Sequence, residues 1–382
     1  MPAPAEAPES AARVLFRPWA TYGLVGLNVL VYLLMVFTGA SASNPSRDQL
    51  IRWGADFGPL TLGSQPWRMV SAAFVHIGAM HIFFNMWCLV SLGGLAEAIY
   101  KRTAYLFMYV LSGITGSLFS LIVYPFTVSA GASGAIFGIV GALIAAFKLG
   151  RLRIPPPIVK KQLTNLFVFA GFNLIYGAVA PGVNNAAHLG GLAGGLLMGA
   201  IIAVAIRKHS EYRRARNMAI TLMIVIIAGG YVAVRQVQAF AIPFGVGRDA
   251  LAHGDFSYAR DQLEAATRRR PNDATAFAFL GIAYTRLGDI PRAEAAFRRS
   301  IELNPRDVST RYQLAVTYYT EGKLDDAEAT MRQLIQMQPN DAEMHKFLAQ
   351  VLSEKGAQAE AQQELERAQQ LSGQHNHDSS KQ

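Results

Sequence analysis

The stretch HIGAMHIFFN, residues 76–85, puts two histidines and an asparagine into a run that otherwise reads as membrane-spanning helix. Two more polar groups sit in apolar surroundings: Ser133 in GASGA, between Gly131 and Gly134, and His188 at the head of HLGGLAGG. Such groups deep in a bilayer cost about 3 kcal/mol each unless paired, so they are functional candidates. Their types point to acyl transfer. A serine hydroxyl is a weak nucleophile until a base takes its proton, and neutral histidine is the usual base near pH 7. Attack on a carbonyl creates an oxyanion that needs fixed donors. Asn85 and His81 lie four residues apart on one helical face and can supply them. Backbone N–H groups of Ala132 and Ser133, at a helix start, can add more. The spans hold no acidic residue to orient His188 except Glu97, at the far end of its own span, so a Ser133–His188 dyad is expected rather than a triad. His76 reads as a structural hydrogen-bonder near the outer rim, and Glu97 and Arg102 as interface anchors.

The elements that must position these groups are apolar helices. Of 382 residues 52% are hydrophobic and 16% charged, where a soluble domain would carry about a quarter charged. Residues 1–237 hold 18 Lys/Arg against 6 Asp/Glu, and residues 238–382 hold 17 against 20. That asymmetry marks two solvents. It excludes nucleic acid as a partner, because the basic residues lie between apolar runs. Seven stretches are long enough to cross a bilayer, at roughly 19–38, 69–96, 103–124, 131–149, 162–180, 186–206 and 218–234. Fourteen of the 18 basic residues in this half fall on one side if the spans alternate, which predicts a cytoplasmic N-terminus and an external chain after Arg235. Spans two, four and six then run in the same direction, with their polar groups at one depth in the outer half. Gly134 and Gly138 on one helix, and Gly191, Gly195 and Gly199 on another, form small-residue faces that let backbones approach and bring Ser133 to His188.

Both ends of the chain read differently. Residues 1–18 form a Pro- and Ala-rich tail ahead of the first span. A signal peptide ending at GASAS, residues 39–43, is a competing reading, but the apolar run exceeds the usual h-region of about 7–15 residues. From residue 244 the chain repeats every 34 residues: Gly254, Gly288, Gly322 and Gly356; Ala259, Ala293, Ala327 and Ala361; Pro271, Pro305 and Pro339. The pattern over 244–372 resembles tetratricopeptide repeats, which stack helix pairs into a solenoid and usually bind peptide segments or partner proteins in a groove. The polar end 373–382 reads as a disordered tail. The lone Cys88 excludes a disulfide framework and a cysteine-based zinc site.

PWR at 66–68, the His76/His81/Asn85 spacing, Glu97 after LGG, GASGAIFG and HLGGLAGG occur in order, and together they resemble the rhomboid intramembrane serine proteases. The resemblance covers about 19–206. It implies an all-α polytopic membrane protein, with a six-helix rhomboid core at 19–206, a seventh transmembrane helix at 218–234 and the repeat solenoid outside, in a bacterial cytoplasmic membrane. It implies hydrolysis of transmembrane segments of other proteins, with Ser133 as nucleophile and His188 as base and then acid. Asn85, His81 and backbone at the serine, with Ala132, would form the oxyanion hole. By the same resemblance Trp67 and Arg68 belong to a loop dipping into the outer leaflet, and Phe137 packs beneath the catalytic histidine. Gly131 and Gly191 support the serine turn and the helix approach. No cofactor and no metal are expected: three histidines are present, but no HExxH and no partnering carboxylate. The partners implied are the lipid bilayer, transmembrane substrates and proteins bound by the repeats. A non-proteolytic relative acting as a membrane adaptor or chaperone is the alternative; such relatives usually lose the serine or the histidine, and this chain keeps both.

Overall fold

The computed structural model describes residues 16–180, 182–206 and 209–379, so most of the tail expected at 1–18 lies outside the described residues, as do 380–382. The described chain is helical. It divides into two compact units, Met1–Gln238 and Ala239–Gln382.

The first unit begins with α1 (Trp19–Phe37). A long connection follows, carrying the short helices α2 (Arg47–Arg52), α3 (Gly58–Thr61) and α4 (Arg68–Ser71). Then come α5 (Ala79–Val123), α6 (Ser133–Leu149), α7 (Pro156–Val179), α8 (Asn185–Ala203) and α9 (His209–Val237). Among the described residues five helices are long and apolar enough to cross a membrane: α1, α5, α7, α8 and Glu211–Val237 of α9. The 45 residues of α5 break at Lys101, whose φ is 61°, into two legs. With the shorter apolar α6 this makes seven apolar helical segments. The break is held from both sides. The Tyr212 hydroxyl donates to the Tyr100 carbonyl that the break leaves free. The Lys101 ammonium lies 4.7 Å over the Tyr212 ring, and Arg102 pairs with Glu97 at 3.5 Å.

Two expectations need correction here. The second span starts ten residues later than the apolar run suggests, at Ala79 rather than residue 69. Gly78, at φ 143°, turns the chain just before it, and Ala79 N–H is bonded to the Ala42 carbonyl. His76 therefore precedes the helix that carries His81 and Asn85. Glu97 is not an interface anchor but a buried cap. Its carboxylate accepts from Ala20 N, Thr21 N and Thr21 Oγ1 at 2.9–3.1 Å, satisfying donors that the first turn of α1 leaves open.

The centre of the unit is α6, packed between α8 and α5. The contact with α8 is backbone against backbone. A methyl group on Gly191 would run into the Gly134 carbonyl, and one on Gly195 into the Gly138 carbonyl. At the other end the Tyr100 hydroxyl donates to Ala142 O at 2.7 Å, with Gly199 O at 3.2 Å, and so ties α5 across both helices.

The second unit holds α10 (Ala241–Ala252), α11 (Phe256–Arg269), α12 (Ala274–Leu287), α13 (Ile290–Leu303), α14 (Val308–Thr320), α15 (Leu324–Met337), α16 (Ala342–Glu354) and α17 (Gln358–Ser379). They pack as four successive pairs. The four repeat glycines all take left-handed φ, 74–83°, which a side chain would resist. Ala259, Ala293 and Ala327 are fully buried where the helices of a pair meet. Asp255, Asp273, Asp289, Asp307 and Asp341 each cap the helix that follows. The segment expected as a tail from residue 373 continues α17 to Ser379, because no proline or chain reversal interrupts its backbone ladder.

Gly195→Val should be far more damaging than Gly171→Val on α7, where a Cβ meets nothing within 4 Å. We expect the first to lower the thermal midpoint by at least 5 °C and to abolish labelling of Ser133 by a serine-directed probe. The second should leave both near wild type.

Candidate active site

Ser133 is the first residue of α6, behind a turn in which Gly131 takes φ 130°. The chain enters this turn through Gly131 N–H, bonded to Ala72 O at 2.8 Å, and the bridge between Ser129 and Asp56. His188 lies in the first turn of α8. Because α6 and α8 touch at their glycines, the Ser133 hydroxyl lies 3.0 Å from His188 Nε2. For the hydroxyl to donate, the ring proton must be on Nδ1. That atom is buried and has no hydrogen-bond partner among the described residues. What fixes the ring is stacking: Phe137, one turn along α6, lies parallel to it at 5° and 4.3 Å between centroids. Phe169 of α7 backs Phe137 at 5.9 Å.

His81 and Asn85 face the same cavity from α5. Ile77 N–H donates to His81 Nδ1 at 3.3 Å, which leaves the proton of the neutral ring on Nε2. The Cε1–Nε2 edge lies against Gly131: a methyl there would stand 2.5 Å from Cε1 and 2.9 Å from Nε2. Glycine is thus required at 131 both by φ and by the imidazole. Asn85 donates one N–H to the His81 carbonyl at 2.8 Å and keeps the second for another acceptor. Ser133, His188, His81 and Asn85 line one cavity of about 1340 Å³. Its polar end faces apolar walls from Phe84 and Trp87 of α5 and from Phe172 and Tyr176 of α7. Ala132 is buried at the helix cap beside the serine. The assembly has what acyl transfer needs: a hydroxyl on a neutral imidazole, and N–H donors beside it.

The other expected residues stand outside the cavity lining. His76 is fully buried, its Nδ1 3.3 Å from Phe74 O and its ring 5.3 Å from that of His81. Arg68 is buried in the loop after α1 and donates to Ile51 O, Ala55 O and Gln65 Oε1 at 2.6–3.0 Å. Trp67 is half exposed beneath the Arg68 guanidinium. Gly191 serves the helix contact.

Two positioning residues were not singled out in the sequence. Asn184 caps α8 by accepting from Ala187 N at 3.1 Å, and its amide donates to Ser120 Oγ and Ser129 Oγ. One side chain therefore joins the His188 helix to α5 and to the serine turn. An asparagine just ahead of an apolar run is the signal that could have found it. Asp56 gives no such signal. Its backbone pairs with Ser129 in both directions, at 2.8 and 2.9 Å, and its Oδ1 accepts from Thr61 at 2.6 Å. Its Oδ2 is buried without a hydrogen bond among the described residues. Burial pushes this carboxyl up to about 6, against the opposing pull of Thr61, Ser117 and Arg68.

A carboxyl raised in the folded state favours folding when protonated, so its contribution grows as pH falls through 6 and is lost as pH rises. Between pH 7 and pH 5 we expect the protein to gain about 1 kcal/mol from this group. Asp56→Asn should remove that slope in chemical unfolding at the two pH values. An unchanged slope would assign it to other groups.

The Rhomboid domain family matches residues 63–205, and tetratricopeptide repeat families match 246–308, 288–351 and 318–376. The chain is 32% identical over 213 residues to "Rhomboid protease GluP" of Bacillus subtilis, covering 56% of this chain and 40% of that protein. It is 32% identical over 164 residues to "RHOMBOID-like protein 4" of Arabidopsis thaliana, covering 43% and 40%. It is 32% identical over 227 residues to "Rhomboid protease AarA" of Providencia stuartii, covering 53% of this chain and 78% of that protein. The chain thus spans less than half the length of the first two relatives and more than three quarters of the third.

Proposed function

The chain belongs to the rhomboid family, as a multi-pass membrane protein with tetratricopeptide repeats, and on that premise we propose that it is an intramembrane serine endopeptidase acting through Ser133 and His188. The observation that carries this reading is the 3.0 Å approach of Ser133 Oγ to His188 Nε2. In the first step the Ser133 oxygen attacks the carbonyl carbon of a peptide bond while Nε2 takes the hydroxyl proton. The oxyanion is met by the His81 Nε2–H, the spare Asn85 N–H and backbone N–H at Ala132 and Ser133. Imidazolium then gives its proton to the departing amine, leaving an acyl ester on Ser133. Water, deprotonated by the same imidazole, hydrolyses that ester and restores the serine. The expected substrates are transmembrane segments, whose apolar side chains suit the walls of the cavity. The distribution of Lys and Arg supports a cytoplasmic N-terminus and repeats on the far side of the membrane, which we propose, from the rhomboid resemblance, to be a bacterial cytoplasmic membrane.

Purified protein in liposomes should cleave a generic transmembrane substrate, and Ser133→Ala or His188→Ala should abolish cleavage without unfolding the protein. Asn85→Ala should slow it about a hundredfold, the usual loss of one oxyanion donor. Cleavage by Ser133→Ala would overturn the mechanism; folded wild type that never cleaves would favour the adaptor reading. The repeats are proposed to recruit substrates or partners. Deleting 244–382 should then slow turnover of natural substrates at least tenfold more than that of the generic one. Equal losses would refute recruitment.

A further inference from the structure

At the opposite end of α6 from Ser133, the stretch from the last turn of α6 through the loop into the first turns of α7 carries Lys148, Arg151, Arg153, Lys160 and Lys161, and the chain has no Asp or Glu between Glu97 and Glu211. Lys148 and Lys160 share one groove of about 490 Å³, whose other walls include Ile154, Val159, Leu163 and Phe167. On α7 the lining positions 156, 159, 160, 163, 164 and 167 recur at intervals of three and four, which is a single helix face. That face has two edges. Lys160 and Thr164 follow one, four residues apart, and Val159, Leu163 and Phe167 follow the other, along a helix apolar enough to cross a membrane. From Pro156 to Phe167 the stripe is about 16 Å long, at 1.5 Å per residue.

We infer that this groove is a binding site for one anionic phospholipid, its phosphate between Lys148 and Lys160 and one acyl chain along Val159, Leu163 and Phe167. The chemistry recognised is a phosphate ester. The apolar edge of the groove assigns it to a membrane lipid rather than to free phosphate, which would leave Val159, Leu163 and Phe167 without a use. Two lysines lining one groove, one from each helix, distinguish the site from the general positive charge of the loop. Basic pockets between transmembrane helices hold anionic head groups by the same physics. The site is independent of chemistry at Ser133, about 22 Å away along α6.

Native mass spectrometry of the full-length protein in neutral detergent would test this, titrating phosphatidylglycerol, phosphatidylcholine and inorganic phosphate. One phosphatidylglycerol should bind with clear preference over phosphatidylcholine. Lys148→Gln with Lys160→Gln should weaken it about 25-fold, at about fivefold per lysine. The control pair Arg151→Gln with Arg153→Gln removes the same charge outside the groove and should leave the affinity within twofold. Phe167→Ser should weaken phosphatidylglycerol without changing the response to phosphate. Equal losses in the lysine and arginine pairs would overturn the proposal in favour of diffuse loop charge. So would equal binding of the two lipids, or phosphate displacing phosphatidylglycerol at equal concentration.

Discussion

The rest of the membrane unit depends on the approach of two helix backbones. In lipid, apolar side chains gain nothing by leaving the solvent, so helices associate through close packing and hydrogen bonds. Here α6 and α8 approach until carbonyls rest where a Cβ would be, at Gly191 against Gly134 and Gly195 against Gly138. Only at that separation does a side chain as short as serine reach an imidazole on the facing helix. A bulkier pair of faces would still pack, but at the usual 8–10 Å between axes, and the hydroxyl would fall short. The glycines that look like packing residues therefore set the one distance on which the proposed chemistry rests.

Close helices fix separation but not register, and the register is fixed at the ends. The serine turn is irregular backbone, which at membrane depth must find partners within the protein. It finds them in Ala72, in Asp56 and in the Asn184 amide. Asn184 bonds the first turn of α8 to the same turn, so Ser133 and His188 share an anchor as well as a contact. At the opposite end, the Tyr100 hydroxyl and the cap made by Glu97 tie α5 to α1, α6 and α8. The active end is held by hydrogen bonds between loops, the other by bonds that reach across helices.

Much of this is legible in the chain because membrane helices declare themselves. Long apolar runs with basic gaps give the helices, and glycines at intervals of four give the faces that meet. The 34-residue period gives the solenoid, since each glycine and alanine repeats the same backbone requirement. The start of α5 is not legible, because residues 69–78 are as apolar as the helix they precede, yet the chain leaves α4 at Ser71, turns at 72–74 and turns again at Gly78. Nor is the role of Glu97, whose partners are N–H groups 76 and 77 residues away. Asp56 is hidden for the same reason: its partner Ser129 is distant in sequence, and neither residue belongs to a periodic pattern.

The absence of a carboxylate partner at His188 Nδ1, among the described residues, has a physical logic. In a cavity walled by lipid-facing helices, a permanent anion beside the imidazole would need its own donors or counter-charge, and burying one unpaired costs more than the orientation it provides. Stacking on Phe137 restrains the ring without adding charge. It leaves Nε2 directed at Ser133 and leaves Nδ1 to carry the proton that makes Nε2 a base. In the proposed mechanism the cost falls on the imidazolium formed when the serine attacks, which finds no carboxylate among the described residues at Nδ1. The oxyanion formed in the same step of that mechanism would supply the negative charge, beside the imidazolium and met by the donors proposed at His81 and Asn85. The ion pair would then be created and destroyed within the proposed reaction, and the resting membrane protein would never have to bury it.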